Sequence, residues 1–266
     1  MRVRAIALAA TTGLVLALAP TAAQAAPKPT YKVAISINTT APTVGTTVKV
    51  TGKVAGPKAA RKKLLVQRKV GSGAWKTVAK VRTSTKRTYS ARVRVLTAGQ
   101  QYVRVVAPKS TKAKAGSSSR RGFVGYRWLD LTKQPNEKSG TVVNGPVTIA
   151  GKTYPKALTF SYSGIYFNTA GKCTTLRGSV GAPDAEAGEL LVISFPTTED
   201  GEEQEFRTAA PAGAAPKAAS YAVTKRPLIA FGHGSAEGRV SFVSPEVRCS
   251  VNALTAVPQD GFPMAP

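Results

Sequence analysis

The chain has 266 residues, of which 42% are hydrophobic, 38 are Lys or Arg, 13 are Asp or Glu, one is His and two are Cys. This is the composition of a globular and strongly basic protein, with a formal net charge of +25. One histidine and two cysteines are too few for the ligand sets of zinc, haem or iron–sulfur sites, so we expect no metal and no cofactor.

The N-terminus has the pattern of a secretory signal peptide. Arg2 and Arg4 precede an apolar run from Ala5 to Ala19, and Ala23-Gln24-Ala25 supplies small residues for a signal peptidase. The run of about 15 residues is shorter than the roughly 20 that span a bilayer as a helix. We therefore predict cleavage after Ala25 and a mature chain without a transmembrane segment, either extracellular or noncovalently wall-associated. The alternative is an uncleaved anchor helix.

Charge divides the mature chain into two parts. The first acidic residue is Asp130, so the segment from Lys28 to Arg121 contains 23 basic residues and no side-chain carboxylate. From Arg127 onward, 13 basic residues balance 13 acidic ones. The predicted organisation is a signal peptide (1–25), a basic domain (26–108), a Ser-, Gly- and Lys-rich linker (109–122), a neutral domain (123–256) and a tail (257–266).

The basic domain shows the alternation of half-buried strands. Val33, Ile35 and Ile37 recur with a period of two, and Gly56-Pro57 and Gly71-Ser72-Gly73 mark turns. Six or seven short strands in about 80 residues predict a β-sandwich.

The order VGTTVKVTGKV, LLVQRKVGSGAWKTVAKV and RTYSARVRVLTAGQQYVRVVAP resembles the bacterial immunoglobulin-like domains of secreted actinobacterial proteins, over about residues 31–108. The residues that carry the resemblance are Gly45, Gly52, Gln67-Arg68, Trp75, Tyr89, and Tyr102 with Arg104. The resemblance implies an immunoglobulin-like sandwich. Because the cysteine pair of antibody domains is absent, we expect Trp75 to pack in the core on aliphatic side chains.

Basic residues of this domain fall on outward strand positions or in turns, which makes them candidates for binding a polyanion through counterion release. The candidate residues are Lys62, Lys63, Arg68, Lys69, Arg82, Lys86 and Arg87. The export signal favours anionic cell-wall polymers as partners. Nucleic acid is disfavoured because neither a helix nor an aromatic-rich stripe is predicted here. The alternative is a surface that only keeps the protein soluble.

The second domain also consists of predicted strands, such as Leu176 to Val180 and Leu190 to Phe195, and is long enough for a jelly roll. The order YRWLDL, VTIAGKTYPKALTF, FNTAGKCTTLRGSVGAPDAEAG, LLVISFPTTEDGEEQEF and RPLIAFG resembles the NPCBM family of carbohydrate-binding modules, over about residues 124–254. The resemblance implies a galactose-binding-like jelly-roll β-sandwich that recognises carbohydrate.

Cys173 and Cys249 are 76 positions apart in this domain. In an oxidising compartment, an even number of cysteines most simply indicates a disulfide, and a C-x-x-C redox pair is absent.

Four aromatic residues are candidates for stacking on a sugar ring, because aromatic faces match the C–H side of a pyranose. They are Trp128, Tyr154, Tyr162 and Tyr166. Alternation leaves open which of Tyr162 and Tyr166 faces outward. The acidic run Glu199–Glu205 contains Asp200-Gly201 between two predicted strands, which favours a solvated hairpin over a calcium loop. Between two glycines, His233 is expected in a loop, without a G-x-S-x-G elbow to support catalysis.

The sequence thus predicts a secreted, noncatalytic all-β protein whose basic domain attracts anionic envelope polymers and whose jelly roll binds carbohydrate. The alternatives are an extracellular structural or adhesion protein with a protein partner, a glycoside hydrolase accessory protein, and a hydrolase that uses paired carboxylates. The oligomeric state and the glycan are left open.

Overall fold

The computed structural model describes residues 27–183, 186–196, 201–234 and 238–258. These residues form twenty β-strands and one short 3₁₀ turn, Leu131–Lys133. The strands make two successive β-sandwiches, so the predicted all-β sandwich class is confirmed. The predicted signal peptide and most of the tail, from residue 259, lie outside the described residues.

The first sandwich contains nine strands. They are β1 (Lys32–Val33), β2 (Ser36–Ile37), β3 (Thr47–Ala55), β4 (Lys63–Val70), β5 (Lys76–Arg82), β6 (Thr88–Arg94), β7 (Gly99–Ala107), β8 (Gly116–Ser117) and β9 (Arg121–Gly125). Sheet 1 joins β1, β2 and β6 to β3, whereas sheet 2 has the order β5-β4-β7 with β8 and β9 both paired to β7. All pairs are antiparallel, and this division of strands is that of an immunoglobulin-like sandwich.

The core of the first sandwich follows from strict alternation. In β6, Tyr89, Ala91 and Val93 are buried, while Arg92 and Arg94 between and beyond them are exposed. A strand turns successive side chains to opposite faces, so the apolar set of each sheet meets the other sheet and the basic set faces solvent. The charge of this sandwich is therefore displayed on its outside.

The segment expected to be a flexible linker, 109–122, instead completes the first sandwich. It carries β8 and the start of β9, and both strands pair with β7. Its sequence lacks an apolar period because it contributes only single buried residues. Ala113 lies in the core, as does Phe123, the first residue after the segment. The Ser118 hydroxyl accepts a hydrogen bond from the Val105 amide at 2.9 Å. Small and hydroxyl side chains that bond to backbone are invisible to a test based on hydrophobic periodicity.

The second sandwich contains eleven strands. They are β10 (Arg127–Asp130), β11 (Glu137–Ser139), β12 (Val142–Ile149), β13 (Lys152–Phe160), β14 (Gly164–Asn168), β15 (Cys173–Gly181), β16 (Gly188–Phe195), β17 (Gln204–Ala210), β18 (Lys217–Ala222), β19 (Leu228–His233) and β20 (Val240–Cys249). Sheet 3 has the order β12-β13-β20-β15-β18, with β10 also on β20, and sheet 4 has the order β11-β14-β19-β16-β17. From β13 to β20, the eight strands are ordered 1-8-3-6 and 2-7-4-5, which is the jelly-roll arrangement.

The predicted disulfide between Cys173 and Cys249 is confirmed. The two cysteines are directly opposite each other on β15 and β20, and both are buried in the second core. β20 is the last strand of the jelly roll and lies in the centre of sheet 3. The disulfide therefore links an early strand, β15, to the last one.

Polar contacts join the two sandwiches. The Asn252 side chain bonds to Thr97, with Nδ2 3.0 Å from the threonine hydroxyl, and its Oδ1 accepts from the Ala98 amide at 3.3 Å. The Arg248 guanidinium lies 4.0 Å from the centre of the Tyr126 ring and donates to the Ala41 carbonyl at 2.8 Å. Within the described residues, none of the helical structure is long and apolar enough to cross a membrane.

Candidate functional site

The first candidate site is a groove on the outer face of sheet 2, which we call the cationic groove. It is lined by residues of β4 and β5 together with Pro108, and it has a volume of about 400 Å³. Three exposed cations, Lys63, Lys80 and Arg82, border it, with Leu65 between them. Lys63 and Arg82 were predicted as polyanion-binding candidates, whereas Lys80 was not singled out.

Strand register forces these cations together. Lys63 is directly opposite Arg82, and Leu65 is directly opposite Lys80, so all three cations lie on one face of the β4–β5 pair. Like charges directly opposite each other destabilise a sheet. The face thus concentrates positive charge where folding alone would disfavour it.

Further along the same sheet, arginines lie over aromatic rings. The Arg104 guanidinium is 4.3 Å from the centre of the Trp75 ring and donates from Nε to Oε1 of Gln67 at 2.8 Å. The Arg120 guanidinium is 4.9 Å from the centre of the Tyr102 ring. The expectation that Trp75 packs in the core is wrong: its ring is half-buried outside the sandwich, because a cation and not an aliphatic layer covers it.

The other predicted basic residues are spread around the first sandwich. Lys69 lies opposite Tyr102 on the outer face of sheet 2, and Lys62 lies over the Tyr31 ring at 4.7 Å. Arg68 donates to the Arg94 carbonyl at 2.7 Å. Lys86 and Arg87 are exposed in the turn between β5 and β6. Only Lys63 and Arg82 of the seven predicted residues line the cationic groove.

The four predicted sugar-stacking residues divide between two regions. Trp128 on β10 and Tyr154 on β13 belong to sheet 3. By contrast, Tyr166 lies on β14 in sheet 4, and Tyr162 lies in the preceding turn, 69% exposed, with its ring centre 6.0 Å from that of His233. Tyr162 is exposed in the turn before β14 and Tyr166 lies within β14, so strand alternation does not decide between them. The four residues lie on two different sheets and do not form a single site.

Around Trp128, charges of both signs are paired. The Arg177 guanidinium lies 3.7 Å from the centre of the Trp128 ring and bonds to Oε2 of Glu246 through Nε and Nη2, at 3.0 and 2.6 Å. Next to it, Lys156 Nζ lies 2.7 Å from Oδ2 of Asp130. Burial opposes ionisation of Asp130, but hydrogen bonds from Lys156 and Thr132 outweigh it and lower the pKa of this carboxyl below its ordinary value. Sequence patterns did not single out Arg177 or Glu246, because they are 69 positions apart.

The acidic run and His233 lie on separate strands of sheet 4: Glu205 is on β17 and His233 is on β19, with β16 between them. β16 and β17 pair with each other in antiparallel fashion, as the hairpin prediction requires, and the predicted turn residues Glu199 and Asp200 lie outside the described residues. His233 ends β19 instead of occupying a loop, because its backbone pairs with Leu190. Among the described residues, no group of three or more His, Cys, Asp and Glu side chains is arranged to hold a metal ion.

Comparison with known proteins gives little similarity. No protein-family model matches the chain, and no curated protein matches it. A solved structure of a Corynebacterium diphtheriae protein described as membrane-anchored is similar at a TM-score of 0.30 and 13% sequence identity. The match covers 86% of this chain and 52% of the other, so the chain spans about half the length of that protein. Function is therefore inferred from the site itself.

Proposed function

We propose that the first sandwich binds an anionic cell-envelope polymer along the outer face of sheet 2, centred on the cationic groove. The observation that carries the proposal is the grouping of Lys63, Lys80 and Arg82 around one groove in a sandwich without carboxylates. Countercharge for this face has to come from outside the domain. An anionic polymer supplies it and gains entropy by releasing its own counterions.

The shape of the face suits a linear polymer better than a single small anion. From Lys63 to Lys69 the strand advances by six residues, roughly 20 Å at about 3.3 Å per residue. Cations occur at both ends of this distance, and Tyr102 is directly opposite Lys69. A chain of repeating negative charges can therefore contact several cations at once.

The experiment measures the affinity of residues 26–266 for polygalacturonate and for purified wall teichoic acid over a range of salt concentrations. The logarithm of the binding constant decreases linearly with the logarithm of the salt concentration. In the variant Lys63→Gln/Lys80→Gln/Arg82→Gln, the magnitude of this slope should decrease by about 2, at about 0.7 per lost contact. The matched control, Lys49→Gln/Arg92→Gln/Arg94→Gln, removes the same charge from exposed positions of sheet 1.

An equal loss in both variants would show that charge acts without a site and would contradict the placement on sheet 2. Tighter binding of single-stranded DNA than of either polymer, at matched charge, would point to nucleic acid instead. If none of the polymers binds at low salt, the basic surface only maintains solubility.

The second sandwich is proposed to bind carbohydrate, and the whole chain to act without catalysis as an exported, noncovalently envelope-associated protein. The disulfide favours an oxidising, extracellular location, since such bonds rarely persist in the cytosol. If the protein does not bind purified walls but binds a protein from the envelope, the adhesion alternative replaces this proposal. Release of reducing sugar would favour the hydrolase.

A further inference from the structure

A second groove lies on the outer face of sheet 3, and we call it the sheet 3 groove. It has a volume of about 480 Å³ and is lined by residues of β15, β18 and β20. Its floor consists of small side chains, among them Ser179, Ala218 and Ser220, with Val243 beside them. Arg177 and Glu246 form one end. Sites for small molecules have volumes in this range.

A bulge in β20 shapes the groove. Arg177 on β15 is opposite Glu246, but Ser179, two residues later, is opposite Val243, so two residues of β20, Ser244 and Pro245, face the single residue Gly178 and β20 carries one extra residue. Ser244 has a φ of 49°, in the left-handed region that a residue with a side chain rarely adopts. Bulges and strained residues of this kind concentrate at binding sites, where they redirect side chains. Here both occur in the wall of a concave surface.

The ion pair at the end of the groove is held in place on two sides. The Trp128 ring stacks on the Arg177 guanidinium, and both hydrogen bonds from Arg177 go to the same oxygen, Oε2, of Glu246. Among the described residues, no hydrogen bond goes to the other carboxylate oxygen of Glu246, Oε1, whose lone pairs can accept from a hydroxyl group of a ligand. Side-chain exposures of 49% for Arg177 and 35% for Glu246 leave both groups accessible. The pair thus offers a donor and an acceptor side by side, in a fixed arrangement.

The charges around the groove select the class of ligand. Arg177 is balanced by Glu246, and the neighbouring Lys156 is balanced by Asp130. Because both cations are paired, this end of the groove has no net charge with which to attract an anionic or a cationic ligand. A neutral ligand with adjacent hydroxyls can accept from the guanidinium and donate to the carboxylate, while its C–H groups contact Val243 and Ala218.

We propose that the sheet 3 groove binds a neutral saccharide, with adjacent hydroxyls on Arg177 and Glu246 and one sugar ring over the small side chains of β15 and β18. Trp128 is then a positioning residue that orients Arg177, not a stacking platform for the sugar. This inference rests on the carbohydrate-binding part of the proposed function and is independent of the polyanion-binding face.

The test is an NMR titration of residues 26–266, labelled with ¹⁵N, with galactose, glucose, N-acetylglucosamine and galacturonate at high salt. We expect at least one neutral sugar to shift the amide resonances of Ser179, Ser220 and Ser244. Arg177→Ala should weaken that binding at least tenfold. The matched control is Arg207→Ala, because Arg207 pairs with Glu189 at 2.9 Å on sheet 4, away from the groove.

A second variant guards against loss of structure. Ala218→Phe changes an exposed position on the edge strand β18, leaves the ion pair intact and fills the groove, so it should also abolish the shifts. The proposal is wrong if no neutral sugar shifts the groove resonances, if Arg177→Ala binds as the unaltered chain does, or if galacturonate binds more tightly than galactose. High salt and uncharged ligands keep this result separate from the outcome for the cationic groove.

Discussion

At the scale of single residues, buried polar groups show how closely the first sandwich is packed. Tyr89 is 5% exposed, and its hydroxyl donates to the Ala34 carbonyl at 2.7 Å. The ring lies against Gly52, where an added Cβ would lie 2.6 Å from the tyrosine oxygen and 2.0 Å from the Ala34 carbonyl oxygen. Glycine at this position therefore lets β3 approach both groups. The sequence marked Gly52 and Tyr89 only as parts of a resemblance, and the structure gives them a shared physical role.

Tyr89 leads to a prediction about alkaline stability. Burial raises the pKa of Tyr89 from 10.0 to about 12, so the folded state favours the neutral phenol. Its contribution is fully present below pH 10 and is lost as the pH rises towards 12. Tyr89→Phe should lower the free energy of unfolding at neutral pH by about 1 kcal/mol, through the lost hydrogen bond. It should also remove part of the decline between pH 10 and 12.

Urea unfolding of both proteins across this pH range measures the two effects. The difference between the two proteins isolates the contribution of Tyr89 from that of groups common to both. A variant as stable as the parent, with the same decline at high pH, would show that the phenol is not buried in the core.

At the scale of elements, the jelly roll depends on pairings between distant strands. β15 and β20 begin 67 residues apart, and they pair along most of their length. The disulfide closes a loop of 76 residues between them, which restricts the unfolded chain by roughly 4 kcal/mol on the entropy account. The bond therefore stabilises a contact that forms late along the chain.

The double variant Cys173→Ser/Cys249→Ser should lower the free energy of unfolding of the second sandwich by about 4 kcal/mol. Trp75 and Trp128 lie in different sandwiches. Replacing one of them with Phe leaves a single tryptophan, whose fluorescence reports on the unfolding of its own sandwich. Denaturation followed by Trp128 fluorescence should move to lower urea, and that followed by Trp75 should change little. Equal shifts of both probes would mean that the two sandwiches unfold as one unit.

At the scale of the whole molecule, the two sandwiches meet through few contacts, which are well defined. Backbone pairing continues across the boundary, because the Tyr126 amide donates to the Pro42 carbonyl at 2.8 Å and the Val44 amide donates to the Tyr126 carbonyl at 2.7 Å. Arg248 and Asn252 from the end of the second sandwich then reach back to the first. We expect these contacts to hold the cationic groove and the sheet 3 groove in a fixed orientation relative to each other.

Arg248→Gln/Asn252→Ala should let the two sandwiches reorient relative to each other without unfolding either one, because both side chains lie at the surface where the two sandwiches meet. Residual dipolar couplings measure the relative orientation of the sandwiches. In the unaltered chain one alignment tensor should fit both sandwiches, and in the variant two should be needed. Arg207→Gln, on the outer face of sheet 4, is the control. If the unaltered chain already requires two tensors, the contacts do not fix the orientation.

The sequence by itself determined the properties that are local or additive. Alternation of apolar and polar residues gave the strands, as in Tyr89, Ala91 and Val93, because a side-chain period of two is a property of any strand. The count of charges placed 23 basic residues between Lys28 and Arg121, in a segment without carboxylates. Two cysteines in a chain with a predicted export signal indicated the disulfide, since an oxidising compartment leaves few alternatives.

Only the tertiary structure decided which residues share a surface. Lys80 joins Lys63 and Arg82 through the register of β4 and β5, and Trp75 lies outside the core because Arg104, on a different strand, covers its ring. Arg177 and Glu246 meet through pairing of β15 with β20, and Ser244 shapes their groove through a bulge. The physical reason is shared by these cases: the partners lie on different strands, and which residues of two strands meet is fixed by register, which depends on packing of the whole core.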